Sequence, residues 1–284
     1  MKNRGIIAIN KPAGWTSFDV VNKIKHMVKP LKVGHLGTLD PMATGVLLVT
    51  VGKATKLFDI MQQKLKTYVA EFEFGKLTDT LDATGETLKT EEVKTFSLDV
   101  LEKTIAKFIG KIQQVPPKYS AKSINGTRAY VMARNNVDFE IPAKIVVIES
   151  IEILSYQNNV LKLKIICGSG TYIRSIGRDI AESLGTIATM TSLIRTKIDS
   201  VIVENCTDIS KIDKDNVLNY IVPINEVLNY QTLKLSDNEQ FKILNGQVLE
   251  LNMPDGIYKL NDELDTVALI KIDKFKAKMS LFLG

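Results

Sequence analysis

Two histidines, two cysteines and one tryptophan in 284 residues leave little material for several common chemistries. His26 and His35 belong to no HExxH pair and no Cys/His cluster, and Cys167 and Cys206 lack CxxC spacing. A zinc site needs three or four such ligands close together, so neither a metal centre nor a disulfide framework is expected. GKAT at 52–55 lacks the leading glycine and the Ser/Thr of a phosphate-binding loop, and the sequence holds no complete GxGxxG and no GxSxG. Redox, phosphoryl transfer and metal-assisted hydrolysis therefore have no visible equipment, and no cofactor is expected. The longest apolar stretches, IIAI and VLLVTV, fall far short of the ~18 residues that a membrane-spanning helix needs. MKNRGIIAINKPAGW breaks too early for a secretory leader. These absences point to the cytoplasm, with reduced thiols.

What is present is an ordinary globular composition, 45% hydrophobic and 24% charged, with 17 Gly and 8 Pro. At roughly 150 residues per domain, the length predicts one large domain, or one large domain with a small appendage. Net charge is +5, and it is unevenly placed: residues 1–60 hold nine Lys or Arg against three Asp, whereas the rest holds 28 against 29 acidic residues. A basic end on a near-neutral body suits a polyanionic partner such as nucleic acid, or serves as a solvated face.

GIIAIN reads as a buried strand. KPAGWTS then leads into a helix whose start has capping-box spacing at Thr16 and Asp19, with Phe18, Val21, Ile24 and Val28 on one face until Pro30. VLLVTVG and TYVAEFEF read as strands, and the polar stretch Gly75 to Thr95 as loop. SLDVLEKTIAKFIG is an amphipathic helix with Leu98, Leu101, Ile105 and Phe108 inward. AKIVVIESIEILSY and NVLKLKIICG form a hairpin, and TYIRSIGRDIAESLG a helix stopped by Gly185. This order has no strict βαβ beat, so a mixed α/β (α+β) sheet is expected over a Rossmann fold or TIM barrel. Beyond about Asn229, short apolar segments separated by Gly, Asn and Asp predict a small β domain, dividing the chain into 1–230 and 231–284.

One loop, GHLGTLDPMATG at 34–45, stands out. Asp40 precedes proline, which biases it toward an extended backbone, and Gly34, Gly37 and Gly45 permit close approach of a ligand. A catalytic carboxylate fits there. So does an Asx-turn in which Asp40 bonds only its own backbone. Arg174 reads either as a functional guanidinium or as core-edge packing, and Tyr68 as a stacking platform or as an amphipathic core residue.

KPAGWTS at 11–17, GHLGTLDPMATGVL at 34–47, KTYVAEFEFGKLTDTLDATG at 66–85, VPPKYSA at 115–121 and GTYIRSIGRDI at 170–180 occur together and in this order. In this the sequence resembles the bacterial TruB family, tRNA pseudouridine synthases acting on uridine 55 of the T loop. The match is continuous over about residues 4–205. The resemblance implies a pseudouridine synthase fold, with a mixed, largely antiparallel sheet flanked by helices and a small C-terminal PUA-like β domain. It also implies an RNA-gripping arm at about 115–144, tRNA as partner through its T arm, no obligate protein partner and a monomer. By the same resemblance, Asp40 is the essential aspartate, Arg174 its guanidinium partner and Tyr68 the aromatic that stacks on the flipped base. His35 packs into the T loop, Leu193 lines the pocket, and Lys11 in the first motif contacts substrate.

The chain departs from the family's pattern at three places. Ser123 follows Lys122 where a second basic residue is common, Ile194 precedes Arg195 where a paired arginine is often seen, and ARNNVDF has Asn for a usual Gly. These bear on phosphate contacts rather than on chemistry. A catalytically silent tRNA-binding or tRNA-folding module is the competing reading. Intact Asp40, Tyr68 and Arg174 argue against it, because a binder has no use for that triplet. A guide-dependent synthase of the archaeal type would carry a larger C-terminal domain.

Overall fold

A computed structural model describes residues 4–124, 126–135 and 137–284; Asn125 and Asn136, within the stretch expected as the arm, lie outside them. The structure is mixed α/β and divides into two compact units. One comprises the described residues through Asp40, Val46–Gln62 and Ser200–Gly284; the other comprises Pro41–Gly45 and Gln63–Asp199.

In the first unit the strand Gly5–Lys11 runs parallel to Thr207–Asp208, and Val33–His35 pairs antiparallel with residues 49–51 of the strand Thr44–Val51. The helix Ser17–Met27 begins as its spacing predicts: Thr16 Oγ1 accepts from Asp19 N (3.1 Å), and Asp19 Oδ2 accepts from Thr16 N (2.8 Å). Its buried face is Val20, Val21, Ile24 and Val28, packed with Ile7, Leu47 and Ile209. Phe18, expected inward, is 69% exposed. In the first helical turn Val20 takes the inward direction instead, because Ser17 is turned to the interior by its own hydrogen bonds.

Within the same unit a four-stranded antiparallel sheet has the order Leu249–Glu250, Lys276–Phe282, Thr266–Asp273, Gly256–Asn261. It has its own core of Leu233, Ile243, Tyr258, Leu260, Ile270 and Ile272. Arg4 is tied to it, donating to Leu283 O at 2.9 Å and lying 3.3 Å from Asp262 Oδ2 and 3.7 Å from Asp265 Oδ2.

The second unit is built on antiparallel strands in the order Ala188–Ile198, Lys66–Phe74, Val160–Cys167, Lys144–Gln157, Gly110–Gln114. The Lys144–Gln157 and Val160–Cys167 pair is the expected hairpin, turning at Asn158 and Asn159 with φ of 50° and 61°. Such a turn needs two left-handed residues, and asparagine tolerates that conformation, which costs other L-residues about 1–2 kcal/mol each. The helix Ile173–Ser183 packs closely on the sheet. A Cβ on Gly177 would lie 2.1 Å from Phe72 Cδ1, so only glycine lets the two elements meet. In the helix Leu98–Ile105, Leu101 and Ile105 are buried while Leu98 is exposed and Phe108 only half-buried; one short helix on the sheet has room for a narrow apolar stripe.

The polar stretch read as loop holds a two-stranded sheet, Lys76–Thr78 with Thr87–Thr90. The second strand is wholly exposed, so it carries no apolar alternation to betray it.

Candidate active site

The loop carrying Asp40 is pinned on both sides. Leu36 and Leu39 are buried, and Leu36 N donates to Leu48 O at 2.9 Å. Ser17 Oγ accepts from Leu39 N (2.9 Å) and donates to Leu39 O (3.2 Å), so one hydroxyl satisfies both main-chain groups of the residue before Asp40. Asp40 itself is half-buried. His35 ends its strand, half-buried, five residues earlier on the same loop. Lys11 is wholly buried, and its ammonium donates to Pro12 O (2.8 Å) and Trp15 O (2.5 Å). Its position thus braces the KPAGWTS turn that delivers Ser17.

Gly37 and Gly45 both have positive φ, 121° and 103°. The close approach that Gly45 allows is to the chain itself: a Cβ there would stand 2.2 Å from Arg195 O. This corrects the reading of that glycine as room for a ligand. Gly34 has ordinary space around it.

In the second unit Tyr68 and Leu193 share the buried face of the sheet. The strand Lys66–Phe74 buries alternate residues, and register sets Arg195 opposite Tyr68 and Leu193 opposite Ala70. Lys66 and Cys167 oppose each other on that face. Burial, and then repulsion by Arg195, pull the Lys66 ammonium down to about 8. Burial pushes the Cys167 thiol up to about 11. This face is therefore unusually polar for a sheet interior.

Arg174 lies in the first turn of the helix Ile173–Ser183 and is almost fully buried. Its Nη1 donates to Thr80 O (2.9 Å) and pairs with Asp82 Oδ2 (3.3 Å), and its Nη2 donates to Tyr119 O (3.2 Å). The other oxygen of Asp82 accepts from Thr80 Oγ1 (2.8 Å), Thr84 Oγ1 (2.5 Å) and Thr84 N (3.0 Å). A buried charge is tolerable only when paired and hydrogen-bonded, and both members of this pair are. Three sequence motifs meet here: GTYIRS supplies the guanidinium, TDTLDATG the carboxylate, and VPPKYSA a carbonyl.

Asp82 was not singled out by sequence reasoning. Its signal was there, an aspartate among threonines between two glycines, a pattern of hydroxyls able to orient a carboxylate. Of the expected site residues, Lys11, His35 and Asp40 belong to the first unit, and Tyr68, Arg174 and Leu193 to the second. Among the described residues, no three His, Cys, Asp or Glu side chains group as metal ligands, and no helix is long and apolar enough to cross a membrane.

The antiparallel sheet with its flanking helices and the separate C-terminal β sheet define a pseudouridine synthase fold. The chain resembles one in the crystal structure of a Cbf5–Nop10–Gar1 complex with a TM-score of 0.72 at 22% identity, over 98% of this chain and 84% of that one. A chain of an H/ACA RNP bound to a substrate RNA containing 2′-deoxyuridine gives 0.71 at 21% identity, over 99% and 85%. The model of the TruB family pseudouridylate synthase N-terminal domain matches residues 25–173, just over half of the chain. tRNA pseudouridine synthase B of Clostridium kluyveri is 39% identical over 97% of this chain and 98% of its own length. The enzyme of the same name from Fusobacterium nucleatum is 39% identical over 95% and 96%, and that of Bacteroides fragilis (strain ATCC 25285) 43% identical over 74% and 93%. The chain belongs to the TruB family of pseudouridylate synthases.

Proposed function

We propose that this protein isomerises uridine 55 in the T loop of tRNA to pseudouridine. The observation that carries the reading is near-full-length similarity to enzymes named tRNA pseudouridine synthase B, joined to the presence of Asp40, Tyr68 and Arg174 in the motifs that carry the resemblance. The reaction breaks the bond between N1 of the base and C1′ of the sugar, turns the base, and joins C5 to C1′. C5 loses a proton and N1 gains one. Electrons balance within the nucleotide, so no redox partner and no ATP is called for.

Asp40 supplies the carboxylate for covalent catalysis or for abstraction of a sugar proton. The main chain of Leu39, the residue before it, is fixed by the Ser17 clasp, which suits a group that must meet one atom of a flipped nucleotide. Family position assigns Arg174 as the guanidinium partner of that carboxylate; its anchorage on Asp82 holds the guanidinium in a single pose. Tyr68 stacks on the extruded base and serves the C5 proton, with Leu193 completing the apolar wall. His35 fills the space the uridine leaves, and Lys11 keeps the first motif in shape beneath the RNA. Residues 231–284 act as a PUA-like domain on the acceptor side of the tRNA, and the arm at 115–144 grips the T arm. The protein works without a protein partner, as a monomer, in the cytoplasm where its substrate is.

Incubation with an unmodified tRNA transcript, followed by carbodiimide-dependent primer extension, tests this directly. A new stop at uridine 55 alone is the expected result. No stop, or stops scattered over other uridines, overturns the assignment.

A further inference from the structure

The turn joining the strands Thr266–Asp273 and Lys276–Phe282 is built against its own backbone preference. Lys274 and Phe275 both have positive φ, 48° and 65°. A two-residue hairpin connection asks for that conformation, which is why Asn-Gly or Asp-Gly usually fills it. A bulky aromatic there is an outlier. Two bonds from outside hold the turn: Leu251 N donates to Phe275 O, and Lys274 N to Asp255 Oδ1, each at 2.8 Å. Burial does not repay the strain, because Phe275 is 59% exposed.

The strands leading to the turn add a second, independent oddity. Register sets Lys271 directly opposite Lys278, and Asp273 opposite Lys276. All four are exposed, while Ile272 and Ala277 between them belong to the C-terminal core. Like charges directly across an antiparallel pair repel one another. With Lys274, this hairpin carries four lysines against one aspartate, although residues 231–284 as a whole hold seven lysines against eight acidic residues. The cations of the segment are thus gathered at one place, around a strained and solvated ring.

We propose that the hairpin 271–278 is an RNA contact separate from the uridine site. Phe275 stacks on an unpaired or terminal base, and Lys271, Lys276 and Lys278 take the flanking phosphates. Every base has a π-face, so stacking selects for an uncovered base rather than for a sequence. An uncovered base and a closely spaced phosphate track occur together in single-stranded or end-exposed RNA. The inference rests on reading the protein as a tRNA enzyme, and it adds where a second part of that substrate is held.

Two variants test it, Phe275→Gly and the double variant Lys271→Gln with Lys278→Gln. Each relieves a conflict in the folded protein, so each is expected to melt no lower than the parent. With whole tRNA, Phe275→Gly should raise KM about fivefold or more with kcat unchanged, because stacking on a base other than the reacting one is uniform binding. The lysine variant should flatten the slope of log K against log salt by about 1.5 to 2. An isolated T-arm hairpin should be turned over equally by all three proteins. The proposal is overturned if both variants bind whole tRNA as the parent does, or if the isolated hairpin is weakened as much as whole tRNA. If the parent binds tRNA without modifying it, the enzymatic reading fails, and the Phe275-dependence of that binding still decides the contact.

Discussion

Asp40→Asn keeps the shape of the side chain and removes its charge. Turnover should fall by about three orders of magnitude or more while tRNA affinity stays within about twofold, since only the reacting group is lost; single-turnover assays beside filter binding separate the two. Asp82→Asn removes the negative charge that lies 3.3 Å from buried Arg174, which costs about 3 kcal/mol. Urea unfolding should show that loss, and turnover should fall with it. Lys66 allows a test by pH. Its folded value of about 8 is below the ordinary 10.5, so burial of the ammonium destabilises the fold fully below pH 8 and is relieved as pH rises toward 10.5. Lys66→Met should be more stable than the parent at pH 7, by an advantage that shrinks by roughly 1 kcal/mol per pH unit above pH 8. Cys167, raised to about 11 from 9.0 by burial, works in the opposite sense above pH 9 and feels the Lys66 charge opposite it, so the comparison is read between pH 7 and 9.

The helix Ser17–Met27 ties the fold to the site through its first residue. Ser17→Ala strands a buried main-chain N–H and C=O at Leu39. Leaving such groups unpaired costs about 1–3 kcal/mol, and the loop before Asp40 loosens. Turnover is expected to drop about tenfold with little change in tRNA affinity, read from kcat and KM on a transcript. The start of this helix was legible in the sequence because a capping box is a local device, a hydroxyl and a carboxylate three residues apart. Its inward face was only partly legible, since Phe18 and Val20 differ in direction for a tertiary reason, the bond from Ser17 to a loop far along the chain. Strands with one buried face, such as Lys66–Phe74, announced themselves by alternation. The exposed strand Thr87–Thr90 could not, having no face to bury. Asp82 escaped notice for a related reason: its partner is supplied by a helix remote in sequence, and a carboxylate among threonines reads equally well as a turn.

At the scale of the whole chain, the basic excess of residues 1–60 is partly spent within the molecule. Lys11 is buried on carbonyls, Lys23 donates to Ile209 O, Lys53 to Gly284 O and Lys56 to Phe282 O, and Arg4 meets two aspartates. Lys25, Lys29 and Lys32 remain exposed. Affinity for tRNA should still fall as salt rises, through counterion release, but with a slope well short of nine phosphate contacts. A titration of binding between low and physiological salt measures it, and a flat plot would mean that these charges only solvate the surface.

The tie from Arg4 to Asp262 spans 258 positions of sequence, and it sets an order of events during synthesis. A ribosome releases the second unit's long run, Gln63–Asp199, well before it makes Ser200–Gly284, from which the first unit takes much of its substance. Domains generally fold as they emerge. The strand Gly5–Lys11 can pair early with Thr44–Val51, its neighbour in the sheet, but its other edge, and the apolar surface that Ile209, Ile212 and Ile221 cover, stay open until residues 207–222 have been translated. The segment that carries Asp40 is among the first made, yet the unit it belongs to is completed last. A released chain truncated after residue 199 should thus show protease resistance over Gln63–Asp199 and faster cutting before Asp40.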